Sequence, residues 1–227
     1  MLGFGKTRPK AVAFDIIGTT FPLDSLRPGV VALGLPPAGL EGWFAAGLRD
    51  AFALALTGGF EPFAKVLEAT LDGVLAEQGL TPPAAAKNSL IHGLEALAPR
   101  PGAAEAFSML VDAGVTVIAL TNGSQGSTRK LLDRAAFAAP PRHIVSVDHV
   151  RRSKPAADVY LHAAEVAGVE PGELALVAAH AWDIQGAHAA GLTTAYLSAD
   201  RPFSAVMNKP EVEAATLPDC AAALLAL

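Results

Sequence analysis

Apolar and polar positions along the chain mark short buried strands alternating with helices, broken by one long helical stretch. "KAVAFDII" at 10–17 is a continuous apolar run carrying one carboxylate and closed by Gly18, as in a strand covered on both faces. A Pro- and Gly-rich passage, "LRPGVVALGLPPAGL", follows. Helical spacing then predicts "EGWFAAGLRDAFALAL" as a helix stopped by Gly58-Gly59, and "EPFAKVLEATLDGVLAEQG" as a second. "TPPAAAKNSLIHGLEALA" reads as a third, opened by Thr81 and two prolines. Residues 22–98 therefore read as all-helical, with no strand among them.

From "PRPG" at 99–102 the pattern becomes regular alternation. "AAEAFSMLVDAG" predicts a helix, "VTVIAL" a strand, "QGSTRKLLDRAAF" a helix and "HIVSV" a strand. "AADVYLHAAEVAG", "ELALVAA", "DIQGAHAAG" and "TTAYL" continue as helix, strand, helix and strand, and "PDCAAALLAL" closes as a last helix. Short apolar strands between helices imply a parallel sheet with helices on both faces. The expected fold is α/β: a Rossmann-like parallel sheet core from residues 1–21 and 99–227, interrupted by an all-helical cap over 22–98.

Composition narrows the function classes. The 227 residues are 52% hydrophobic and 17% charged, which describes a buried globular chain. Net charge is −5 with no basic run, so nucleic acid is not an expected partner. Runs such as "AAALLAL" are far shorter than the roughly 20 residues of a membrane span. "MLGFGKTRPK" lacks the apolar core of a signal peptide. The single cysteine, Cys220, allows no internal disulfide and suits a reducing compartment, so a cytoplasmic location is expected.

In a parallel sheet of this kind ligands bind at the carboxyl ends of the strands. Strand one ends at Asp15, strand two at Thr121 and Asn122, the segment after strand three offers Lys154, and strand four leads to His180 and Asp183. Each residue has a bland use: Asp15 in a turn, Lys154 in a solvated loop, Asp183 as a helix cap, His180 packed near Trp182. Their occurrence in order, each at a strand end, makes the set read as a site.

"FDIIGTTF", "LTNGS", "KPAADVY" and "HAWDIQGAHAAGLTTAYL" resemble the four motifs of the haloacid dehalogenase superfamily, and most closely its type II (S)-2-haloacid dehalogenase branch. The resemblance covers residues 10 to about 22 and about 99 to 200, with a helical cap between, as that family places it. It implies a hydrolase in which Asp15 attacks the carbon bearing a halogen, forming an ester that water then hydrolyses. Phosphatases of the superfamily carry a second aspartate where this chain has Ile17. An alkoxide leaves poorly without that acid, by about 10²–10⁴ in rate, whereas a halide needs no proton.

The resemblance assigns roles by position. Lys154 would hold Asp15 ionised and help bind an anionic substrate; Thr19 and Asp183 would position the lysine and the water. Thr121 and Asn122 would bind the substrate carboxylate or the halide, and Tyr160 would reach toward the site. No cofactor or metal is implied; the alternative is Mg²⁺ held by Asp15 and Asp183, although Ala179 removes a carboxylate that phosphate-handling relatives carry. A small anionic molecule is the expected partner, with a homodimer left open.

Three positions depart from the dehalogenase pattern. Phe44 stands directly after Trp43, where the branch has an arginine for halide or carboxylate. Arg49 is five residues on, about 140° round a helix, and does not replace it. Ala178 and His180 stand where Ser and Asn are usual, so a hydroxyl is lost and an imidazole gained. The leading reading is cleavage of the carbon–halogen bond of a small 2-halo acid. The alternatives are a Mg²⁺-dependent phosphatase or a binding protein without turnover.

Overall fold

The computed structural model describes residues 7–199 and 201–227. Residues 1–6, which open the expected core segment and the stretch read as lacking a signal peptide, lie outside the described residues. Strand β1 (Ala11–Asp15) is central in a six-stranded sheet with β2 (Thr116–Thr121), β3 (His143–Ser146), β4 (Leu174–Ala178), β5 (Thr193–Leu197) and β6 (Val212–Ala214). The order is β3-β2-β1-β4-β5-β6, and every pairing is parallel. The chain runs outward from β1 to β3 and then restarts on the other side at β4. That reversal puts the switch point of the sheet beside the carboxyl end of β1.

Strand periodicity explains why β1 is apolar throughout. Val12 and Phe14 face one core with Phe107 of α5 (Ala103–Asp112) and Leu224 of α9 (Leu217–Leu225); the Phe14 and Phe107 rings meet edge-on at 4.9 Å. Ala11 and Ala13 face the opposite core with Val159 of α7 (Ala157–Ala167) and Ile184 of α8 (Ala181–Ala189). Helix α6 (Gln125–Ala135) joins β2 to β3. Among the described residues no helix is long and apolar enough to cross a membrane.

Between β1 and α5 lie α1 (Arg27–Ala32), α2 (Gly39–Thr57), α3 (Phe63–Glu77) and α4 (Ala84–Gly93), and no strand. Leu40, Phe44 and Leu48 of α2 pack with Leu67 and Leu71 of α3, and this core continues to Ile16 and Phe21 beside β1. Trp43 Nε1 donates to the Leu67 carbonyl at 2.8 Å, which fixes α2 on α3.

Local chemistry accounts for the departures from the expected elements. β1 ends at Asp15 rather than Ile17 because Phe21 N donates to Ile16 O at 2.9 Å and Thr20 N to Asp15 O at 3.2 Å, closing a loop. Helix α1 forms inside the Pro- and Gly-rich passage, with Pro28 in its first turn, where a missing N–H costs nothing. Helix α4 starts only after Pro83 and stops at Gly93, short of the expected end. Strand β6 was not expected: three residues around Glu213 carry too little apolar pattern to register.

Candidate active site

The loop after β1 folds back on the strand end. Gly18 adopts a φ of +86°, and a Cβ there would lie 2.6 Å from His180 Cε1, so the position requires glycine on both counts. The turn returns Thr19 to the strand, where its hydroxyl donates to Asp15 Oδ2 at 2.6 Å. The same hydroxyl accepts the Ala179 N–H at 2.9 Å, tying the end of β4 to the end of β1. Arg100 Nε holds the loop from outside by donating to the Thr19 carbonyl at 2.8 Å. Sequence reading gave Thr19 a part in positioning the lysine and the water; its hydroxyl bonds the nucleophile candidate directly.

Lys154 comes from the connection between β3 and α7. Asn122, just past β2, accepts the Lys154 N–H on Oδ1 at 2.9 Å, which directs the side chain into the sheet edge. The ammonium then donates to Asp15 Oδ1 at 2.7 Å and to Asp183 Oδ2 at 2.6 Å. All three groups are buried. Asp183 projects from the first turn of α8, and its other oxygen accepts the Tyr160 hydroxyl at 2.6 Å. Helices α7 and α8 approach closely enough for that bond because residue 186 is glycine; a Cβ there would lie 2.6 Å from Tyr160 Oη.

Two buried carboxylates share one buried ammonium, so their environments diverge. Burial pushes Asp15 up, but the Lys154 charge and the contacts from His180 and Lys154 outweigh it and hold Asp15 well below the usual carboxylate range. Asp183 moves the other way: burial dominates, Asp15 adds repulsion, and Lys154 offsets only part of it. Burial alone would lower Lys154, yet the two carboxylates raise it, so the ammonium stays charged. Burial, together with Asp183, raises the Tyr160 phenol far above its ordinary value, which keeps it a neutral donor. Asp15 is thus an ionised carboxylate with both oxygens fixed.

On the open side, His180 Nδ1 lies 3.3 Å from Asp15 Oδ2. Its ring stacks on Trp182 at 5.4 Å and lies 6.2 Å from the Phe44 ring. The His180, Trp182 and Phe44 rings face a cleft of about 680 Å³ lined also by Gly18, Leu40, Glu41 and Leu48, while Asp15 lies behind His180 and is not part of its wall. Two arginines, Arg27 and Arg201, border it, and Arg27 is engaged: it donates to both oxygens of Glu41, at 2.7 and 3.1 Å, to Asp24 at 2.7 Å, and to the Pro37 carbonyl at 2.9 Å. Arg49 turns away from the cleft onto Asp50, at 2.8 Å.

Asp15, Thr19, Asn122, Lys154, His180 and Asp183 are therefore brought together, with Phe44 against the histidine. Two candidates sit elsewhere than expected. Thr121 is fully buried and accepts the Gly123 N–H at 2.9 Å, so it shapes the turn after β2. Tyr160 is also fully buried, behind Asp183 and away from the cleft wall. Sequence reading left out Trp182, whose ring lines the cleft and has Lys154 Nζ 5.7 Å from its centroid; its place beside Asp183 in "AWD" was the available signal.

The donors do not suit a divalent ion. All four oxygens of Asp15 and Asp183 already accept hydrogen bonds from Lys154, Thr19 or Tyr160, and the ammonium stands between the two carboxylates. Ala179 adds no ligand, and no group of three or more His, Cys, Asp or Glu among the described residues could hold a metal. The Mg²⁺ alternative is thus without a ligand set.

A family model described as a haloacid dehalogenase-like hydrolase matches residues 9–191. The chain is 29% identical over 169 residues to (S)-2-haloacid dehalogenase 1 of Pseudomonas sp. (strain CBS-3), spanning 74% of this chain and 71% of that protein. It is 26% identical over 212 residues to the (S)-2-haloacid dehalogenase of Pseudomonas sp. (strain YL), spanning 92% and 91%. The fold matches the L-2-haloacid dehalogenase from Xanthobacter autotrophicus solved with chloropropionic acid covalently bound, at a TM-score of 0.85 and 24% identity over 94% and 97% of the chains.

Proposed function

The chain belongs to the haloacid dehalogenase-like hydrolases, and from that membership we propose that it cleaves the carbon–halogen bond of a small 2-halo acid through an ester on Asp15. The observation that carries this reading is an ionised Asp15 gripped by Lys154 at 2.7 Å, with the apolar Ile17 two residues on. A halide leaves as a weak base, whereas an alkoxide needs a proton that Ile17 cannot give. Relatives named as (S)-2-haloacid dehalogenases support the same chemistry.

In the first step an Asp15 oxygen attacks the substrate C2. A C–O bond forms, the C–X bond breaks, and the halide leaves with the bonding pair. In the second step water adds to the Asp15 carbonyl carbon and the acyl C–O bond breaks. The 2-hydroxy acid departs, Asp15 is restored as carboxylate, and one proton is released. Lys154 fixes the nucleophile and balances its charge, while Asp183, held by Tyr160, fixes Lys154. His180, 3.3 Å from Asp15, is the base for the attacking water, in a site where Ala178 offers no hydroxyl to orient it. Residues 22–98 act as a cap whose α2 face closes the cleft and limits its water.

Halide release from a panel of 2-halo acids, run beside a panel of phosphate esters with and without Mg²⁺, tests the reading. Halide release is the expected result. Phosphate release without halide would identify a phosphatase, and silence on both panels a binding protein.

A further inference from the structure

We propose that the cleft selects 2-halo acids with a long or aromatic substituent, and that Phe44 is the residue that sets this preference. The inference rests on the dehalogenase reading and extends it to a substrate class. Along α2, positions 40, 44 and 48 fall one above another on the cleft side, and they carry Leu, Phe and Leu. Phe44 is 7% exposed, meets the Phe63 ring edge-on at 5.9 Å, and presents its other side to His180 at 6.2 Å. Trp182 closes the opposite wall against the same histidine. Asp15 does not itself line the cleft, but His180, 3.3 Å from its Oδ2, does, so a substrate reaching Asp15 beside His180 would carry its substituent between an aliphatic stripe and two aromatic rings.

Size agrees with this. At about 680 Å³ the cleft falls in the range that takes a drug-sized ligand, roughly 300–1,000 Å³, far more than a three-carbon acid fills. On the cap side Arg49 points outward onto Asp50 and Arg27 of α1 is held by Glu41 and Asp24, so the further cation bordering the cleft is Arg201, close enough to act on Glu41. A short acid would leave apolar wall wet and gain little; a longer one covers it. Each methylene that is buried in the transition state should raise kcat/KM roughly fourfold, the transfer free energy of a CH₂ written as a rate ratio.

The test is kcat/KM for halide release from 2-bromopropanoate, 2-bromohexanoate and 2-bromo-3-phenylpropanoate in the full-length protein. The expected result is a rise of at least tenfold from propanoate to hexanoate, with the phenyl compound also favoured. Phe44→Arg should lower the hexanoate-to-propanoate ratio. Ala45→Trp, at an exposed cleft position that tolerates a large residue, should lower it by filling the same space. Propanoate turned over as fast as or faster than hexanoate overturns the preference but leaves the dehalogenase reading intact. A ratio unmoved by both variants overturns the assignment of the cleft. No halide from any of the three acids overturns the underlying reading itself.

Discussion

The Lys154 ammonium lies 2.7 Å from Asp15 Oδ1, with both groups buried, so the charge of each is maintained by the other. Lys154→Met keeps the volume and removes the charge. Asp15 and Asp183 then face each other with no cation between them, and at least one takes up a proton. Breaking such a pair by removing one partner costs about 3–5 kcal/mol of stability. Halide release should fall by about a thousandfold or more, because the nucleophile is no longer held ionised. Urea unfolding and steady-state halide assays on the same preparation check both parts.

Tyr160 reaches the site through Asp183. Tyr160→Phe leaves the buried Asp183 Oδ1 without its 2.6 Å donor. The expected destabilisation is about 1–3 kcal/mol, the cost of one unsatisfied buried acceptor. Because Tyr160 does not line the cleft, kcat should fall by roughly tenfold while KM stays within about twofold. A change confined to KM would place the phenol in contact with substrate.

The pH dependence of the first step follows from the two shifted charges. Asp15 is held below its ordinary range and Lys154 above its own, so both keep their active charge across neutral pH. The single-turnover halide burst should be flat from about pH 7 to about pH 9, and should fall on the acid side as Asp183, raised by burial, takes up a proton and loosens its hold on Lys154. Stability carries the same sign for Asp15: its folded value lies below the unfolded one, so its contribution is complete above about pH 4 and is lost as pH falls through the folded value. Lys154, raised on folding, contributes fully below about pH 10 and loses that contribution as pH rises through its folded value. Rapid-quench halide measurements and thermal melts across pH check the two statements.

We assign His180 to the second chemical step alone. If it activates the water, His180→Ala should leave the halide burst intact and slow steady-state turnover by about 10²-fold or more, the usual contribution of a positioned base. The ester should then accumulate and be visible in the intact-protein mass. Equal slowing of burst and turnover would instead make the ring a group that orients Asp15.

Much of this site was legible because a parallel sheet delivers its strand ends to one edge. Asp15, Asn122, Lys154 and Asp183 are far apart in sequence, but each follows a strand, and the β3-β2-β1-β4 order sets them side by side. Contacts that depend on helix placement were not legible. Tyr160 is expected from the resemblance to reach toward the site, and α7, beginning at Ala157, carries its phenol behind Asp183. The same holds for Trp182, whose role depends on how His180 stacks, and for the Leu40-Phe44-Leu48 stripe, whose direction is fixed only when α2 packs on α3. Edge strand β6 escaped because three residues give no period to read.

The most direct test of the covalent route is a single turnover of a 2-bromo acid by excess enzyme in ¹⁸O-water, followed by mass analysis of the peptide containing Asp15. Water attacks the aspartyl carbonyl in this mechanism, so the label should appear in Asp15, with none in the 2-hydroxy acid of that first turnover. Label in the product, with none in Asp15, would mean that water displaces the halide directly, and would contradict an ester on Asp15.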